Sequence, residues 1–171
     1  RFRRVLFRSK AHSWFEKAAA QELAEANVNL GLLYFDGLGV SQDQQKAFSL
    51  FSIAARDKLP EAYHMLGLQL YSGTGVPVDL QEALQYFKDA AVLGYPESQY
   101  MLAYIYQSGD LGKERADLAY VWSKIAGDYS NLEIARDLNY LTTLLLDDDE
   151  QAKQALKAEA CFSSNFRDCP F

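Results

Sequence analysis

The side chains able to do chemistry are few and far apart. Histidine occurs twice, at His12 and His64, and cysteine twice, at Cys161 and Cys169. None falls into the HExxH or CxxC spacing that sets metal ligands side by side, and histidines so distant from the cysteine pair would not share a zinc ion. The acidic run Asp147-Asp148-Asp149-Glu150 is not followed by the spaced oxygen ligands of a calcium loop. It fits a helix N-terminus, where the dipole favours negative charge. Gly73-x-Gly75 lacks the lysine and the preceding strand of a phosphate loop. Ser72 and Ser108 stand near glycine turns without an evident histidine to take a proton from either. No metal, cofactor or enzymatic activity is expected. The cysteines have seven residues between them; they either staple the tail into a loop in an oxidising compartment or remain two thiols in a reducing one.

Composition narrows the function classes. Of 171 residues 49% are hydrophobic and 23% charged, which argues against disorder. No run of 18 apolar residues offers a membrane span. The formal charge of -6 conceals an asymmetry, because Arg1, Arg3, Arg4, Arg8 and Lys10 precede a body with 12 basic against 23 acidic side chains. Such a body repels phosphate backbones, so nucleic acid is not an expected partner.

What must position any functional residue is a repeat. Leu30-Gly31, Leu66-Gly67, Leu102-Ala103 and Leu138-Asn139 are spaced 36 residues apart, as are Gly37, Gly73 and Gly109, and Ala47, Ala83 and Ala119. Each unit reads as a helical hairpin. Its first helix carries apolar residues at helical spacing and stops at a glycine that tolerates positive φ. A short turn through Gly39 or Gly75 follows, and Asp43 or Asp79 is placed to accept backbone N–H bonds at the start of the second helix. Gly31 and Gly67, inside first helices, suggest close backbone approach to the partner helix. In the third unit Arg115 replaces the capping aspartate, predicting a distorted turn and a later start of the second helix, near Glu114. The fourth unit is degenerate, with a helix from about Leu132 to Leu145 and a polar capping helix from Asp147 to about Ala160. Residues 1–10 break the phase and read as non-native to the fold or disordered. Residues 11–160 read as one repeat domain, with a half repeat over 11–23, repeats over 24–59, 60–95 and 96–131, and a capping repeat over 132–160. Residues 161–171 form a tail.

The stretches NLGLLYFDGLGVSQDQQKAFSLFSIAA and MLGLQLYSGTGVPVDLQEALQYFKDAA resemble the Sel-one-like repeat, a relative of the tetratricopeptide repeat. The likeness covers about Ala11 to Leu145, strongly for two units and partially for the third. It implies an all-α, right-handed superhelical solenoid of helix-turn-helix repeats, of a kind often bacterial and acting mainly as adaptor or scaffold. One exported, cysteine-rich subset closes each hairpin by a disulfide between cysteines with seven residues between them, a spacing that Cys161 and Cys169 show once. The resemblance therefore implies a bacterial cytoplasm or periplasm, leaning to export if these two are bridged.

In such solenoids the face of the first helix turned away from its partner lines a concave groove. Projection at about 100° per residue leaves three rows: Val28, His64, Tyr100 and Arg136; Leu32, Leu68, Tyr104 and Tyr140; Phe35, Tyr71, Gln107 and Thr143. A protein or peptide with a basic segment is the expected occupant, held by tyrosines with polar handles. A histidine at His64 could bind a carboxylate or respond to pH. Two alternatives stand beside this one. The first is an exported factor whose tyrosines stack on polysaccharide or peptidoglycan. The second, more remote and implied only by relatives, is a serine-based hydrolase of cell-wall or β-lactam compounds. The bare face of the Ala11 to Leu23 helix is a candidate surface for self-association.

Overall fold

Every first helix of the three regular hairpins ends in the same backbone device. Gly37, Gly73 and Gly109 take left-handed conformations, with φ of 69°, 72° and 70°, and their N–H groups donate to the carbonyls of Leu33, Gln69 and Ile105. A side chain at such a φ would press on its own carbonyl, so glycine ends the helix without penalty. A second bond closes each turn. The N–H of Asp43 donates to Tyr34, that of Asp79 to Leu70 and that of Arg115 to Tyr106, at 2.9, 3.0 and 2.8 Å.

The computed structural model describes residues 13–20 and 23–171. Residues 1–10 and His12 lie outside them. The elements are α1 (13–19), α2 (Ala24–Asp36), α3 (Gln44–Ala54) with a 3-10 turn (Ala55–Asp57), α4 (Pro60–Ser72), α5 (Leu80–Val92), α6 (Pro96–Ser108), α7 (Ala116–Lys124) running into a π turn (Ile125–Tyr129), α8 (Glu133–Thr143) and α9 (Asp148–Ser163). The described residues contain no strand. Pro60 and Pro96 open α4 and α6, where a missing N–H breaks no helical bond. Asp43 caps α3 by accepting from the N–H of Lys46 at 2.9 Å, and Asp147 caps α9 by accepting from Glu150 at 2.8 Å.

The third hairpin corrects an expectation. Its second helix starts at Ala116, in phase with Gln44 and Leu80, so the expected delay in its start does not occur. Arg115 makes no side-chain cap and turns to Asp117, 2.8 Å away. The closing bond to Tyr106 keeps the register, while positive φ moves to Gly112 at 109°.

The chain divides into two compact units, Arg1–Asp79 and Leu80–Phe171. In the first, α2 and α4 each pack against α3. Ala47, Phe51 and Ala54 of α3 are fully buried, with Leu30, Ala62 and Leu66 around them. Gly31 makes room for a ring here: a Cβ added to it would lie 2.5 Å from Cε1 of Phe51. The close approach at this glycine is therefore to an aromatic side chain, not to backbone.

In the second unit α5 packs on α6, α6 on α7, and α7 on both α8 and α9. Phe87, Ala90, Ala91, Leu102, Ala103, Trp122 and Ile125 form its buried interior. Several polar groups that enter it are paired. Gln99 donates to the carbonyl of Ala91 and accepts from Ser130, and Asn139 bonds Ser123 and the carbonyl of Tyr120. Helix α9 extends to Ser163, past the expected end, and buries Gln154, Ala158 and Cys161. Cys161 is bonded to Cys169.

Candidate functional site

The three rows of the first helices do not share one environment. In the first unit Val28 is 2% and His64 8% exposed, so both leave the candidate surface. His64 lies in the N-terminal half of α4, a helix that packs against α3. Val28 occupies the same level of α2. Burial pushes the His64 imidazole down to about 4, which favours its neutral form near pH 7. Leu32, Phe35, Leu68 and Tyr71, further along their helices, are half-buried.

In the second unit the rows are more open. Tyr104 is 42% and Tyr140 67% exposed, one on α6 and one on α8, helices that touch. Tyr100 lies one turn before Tyr104, its ring 6.5 Å away and tilted by 35°. Arg136, one turn before Tyr140, donates to the Asn131 side chain at 2.6 Å and to the carbonyl of Gly127 at 3.2 Å, which fixes the start of α8 against the π turn. Gln107 is half-buried and its amide oxygen has no hydrogen-bond partner. The result is a set of phenol rings on two helices that touch. It offers apolar faces together with hydroxyl groups able to donate or accept.

The residues weighed for other chemistry are otherwise engaged. Ser72 donates to the carbonyl of Leu68 at 2.7 Å and pairs with the Thr74 hydroxyl at 2.6 Å, while Ser108 donates to the carbonyl of Ile105. Among the described residues no group of three or more His, Cys, Asp and Glu could hold a metal ion. No described helix is long and apolar enough to cross a membrane. On α1, Trp14 is 70% exposed with the Lys17 ammonium 5.5 Å from its ring.

With this geometry in place, comparison with known proteins is informative. The family model for the Sel1 repeat matches residues 8–23, 24–58, 60–95 and 96–128. The chain belongs to the Sel1 repeat family. Two solved Sel1-type structures resemble it closely. One is a protective antigen present in uropathogenic Escherichia coli strains that displays an SLR fold, with a TM-score of 0.84 and 29% identity over 93% of this chain. The other is a Sel1 repeat protein from Oxalobacter formigenes, with a TM-score of 0.75 and 29% identity over 89% of this chain. The chain spans 34% of the length of the first and 64% of the second. No match is found among curated protein sequences. The all-α helix-turn-helix repeat fold of the solenoid type is thus shared with these Sel1 relatives.

Sequence reasoning missed the contacts of the C-terminal tail. Trp122 Nε1 donates to the carbonyl of Pro170 at 3.0 Å, and Phe171 stacks on the indole with centroids 5.3 Å apart. The unusual density of aromatic residues in CFSSNFRDCPF was the available signal.

Proposed function

We propose that this Sel1 repeat chain is a non-catalytic protein- or peptide-binding module, and that Tyr100, Tyr104 and Tyr140 of the second unit form its principal contact surface. The exposure of Tyr104 and Tyr140 on adjoining helices carries this reading. Large rings held on helices lose little conformational freedom on binding, and such residues dominate interface energetics. The second unit contains 15 acidic and 8 basic side chains, so a partner segment with basic residues gains both encounter rate and orientation.

The Cys161–Cys169 bond supports an oxidising, exported setting for the chain. The Escherichia coli relative, described as a protective antigen, is compatible with that setting. The tilted Tyr100–Tyr104 pair is also a surface on which a sugar ring could stack, which keeps a cell-envelope glycan as the second reading.

Affinity capture from a bacterial envelope extract, followed by binding assays with each purified candidate, separates these readings. The native chain is expected to bind a protein that Tyr104→Ala/Tyr140→Ala binds at least tenfold less tightly. Binding to a glycan panel that survives removal of protein would favour the second reading.

A further inference from the structure

The end of the second unit is closed by its own C-terminal segment. Cys161, in the last turn of α9, is bonded to Cys169 at a separation of 8 positions. Between them the N–H of Phe166 donates to the carbonyl of Cys161 at 2.9 Å, and that of Asp168 to the Ser164 hydroxyl at 3.0 Å. Asn165 and Phe166 both hold left-handed backbone, with φ of 55° and 63°. That conformation is unfavourable for a bulky residue such as phenylalanine and requires the surroundings to enforce it.

Past the bond, the Pro170 carbonyl and the Phe171 ring engage Trp122, which is fully buried although Phe171 itself is 47% exposed. The Lys88 ammonium lies 5.1 Å from the other ring of this stack, that of Phe171. Phe166 packs against Gly94, where an added Cβ would come within 3.3 Å of its ring. A surface segment thus covers an otherwise finished helical core, and its ring contacts hold it there together with one covalent tie.

We propose that the Cys161–Cys169 bond is a redox latch: while it is closed, residues 164–171 form a lid over Trp122, and its reduction releases the lid without unfolding the helices. Reduction requires a dithiol. Cys161 is fully buried and Cys169 only half-buried, so the attacking thiolate reaches the sulfur of Cys169. The S–S bond breaks, the Cys161 sulfur leaves as a thiolate and takes up a proton, and the dithiol's second sulfur displaces Cys169. The products are two protein thiols and the oxidised reductant, a transfer of two electrons and two protons. Freed of the tie, Asn165 and Phe166 relax to ordinary backbone and the closed lid loses its entropic advantage.

The test uses the full chain with Trp14→Phe, which leaves Trp122 as its one tryptophan. Emission, backbone hydrogen exchange and far-ultraviolet circular dichroism are followed before and after dithiothreitol, with thiols counted by mass. Reduction is expected to shift Trp122 emission to the red and speed exchange across 164–168 by roughly a hundredfold, the weight of closing a loop of this length. The helical signal should stay and reoxidation should reverse the change. Phe171→Ala in the oxidised chain should give the red shift with the bond intact. The latch is refuted if two thiols appear while emission and exchange stay put. Loss of the helical signal on reduction also refutes it, since the bond would then hold the fold and not a lid, as does an unshifted emission in Phe171→Ala.

Discussion

Gly31 lies against the ring of Phe51 so closely that a Cβ added to the glycine would come 2.5 Å from Cε1 and 2.9 Å from Cδ1. The ring is fully buried and has little space to withdraw. Alanine gains about 1 kcal/mol of helix propensity over glycine, but overpacking of this kind loses about 1–3 kcal/mol. Gly31→Ala is therefore expected to be neutral to destabilising by up to about 2 kcal/mol in urea unfolding. Adding Phe51→Leu should recover part of the loss. A Gly31→Ala chain more stable than the parent would show that the ring moves freely.

The Asp43 cap gives a second, independent test. Its carboxylate accepts from the N–H of Lys46, and no such side-chain cap exists at Arg115 in the corresponding place of the third hairpin. Asp43→Ala should lower stability by about 1 kcal/mol with an unchanged denaturant slope. Arg115→Ala should lose less, because only its exposed pairing with Asp117 disappears. Equal losses would mean that the side-chain cap contributes nothing.

These two sites show why so much of the fold was legible in the chain. A left-handed helix end is nearly confined to glycine, so Gly37, Gly73 and Gly109 fix the phase of the hairpins by themselves. Alanines such as Ala47 and Ala119 mark where helices meet because larger side chains would hold them apart. The surface was harder to read. A projection along one helix does not register what neighbouring elements cover, as at the buried His64, and a nonlocal contact such as Trp122 with Pro170, 48 positions apart, leaves no periodic trace. The third turn misled for a related reason. The bond from Arg115 to Tyr106 is made by backbone and survives the change of side chain.

Burial of His64 gives stability a defined pH dependence. Its imidazole titrates at about 4 in the folded chain against 6.5 when exposed, so between these values the unfolded state binds the additional proton. Stability is complete above pH 6.5, falls as pH drops toward 4, and levels off below that, by about 3 kcal/mol in total. Urea midpoints at pH 7 and pH 4.5 should differ more for the native chain than for His64→Gln, in which no imidazole titrates. Identical differences in the two chains would exclude a neutral, desolvated histidine.

The exposed tyrosines predict a separation of binding from stability. Tyr104 and Tyr140 are exposed, so replacing both with alanine should change unfolding free energy by no more than about 1 kcal/mol. Binding should nonetheless weaken tenfold or more, because truncation of interface aromatics commonly removes 2 kcal/mol or more, by order of magnitude. Loss of binding accompanied by loss of stability would point to a damaged fold.

The most direct measurement places a photo-reactive phenylalanine analogue at position 104, at 140, or at Leu93, a residue of the same unit that is 47% exposed and outside the three rows. With a captured partner present, irradiation should give cross-links from 104 and 140 and none above background from 93. Cross-linking from 93 with none from 104 or 140 would place the contact surface elsewhere on the molecule.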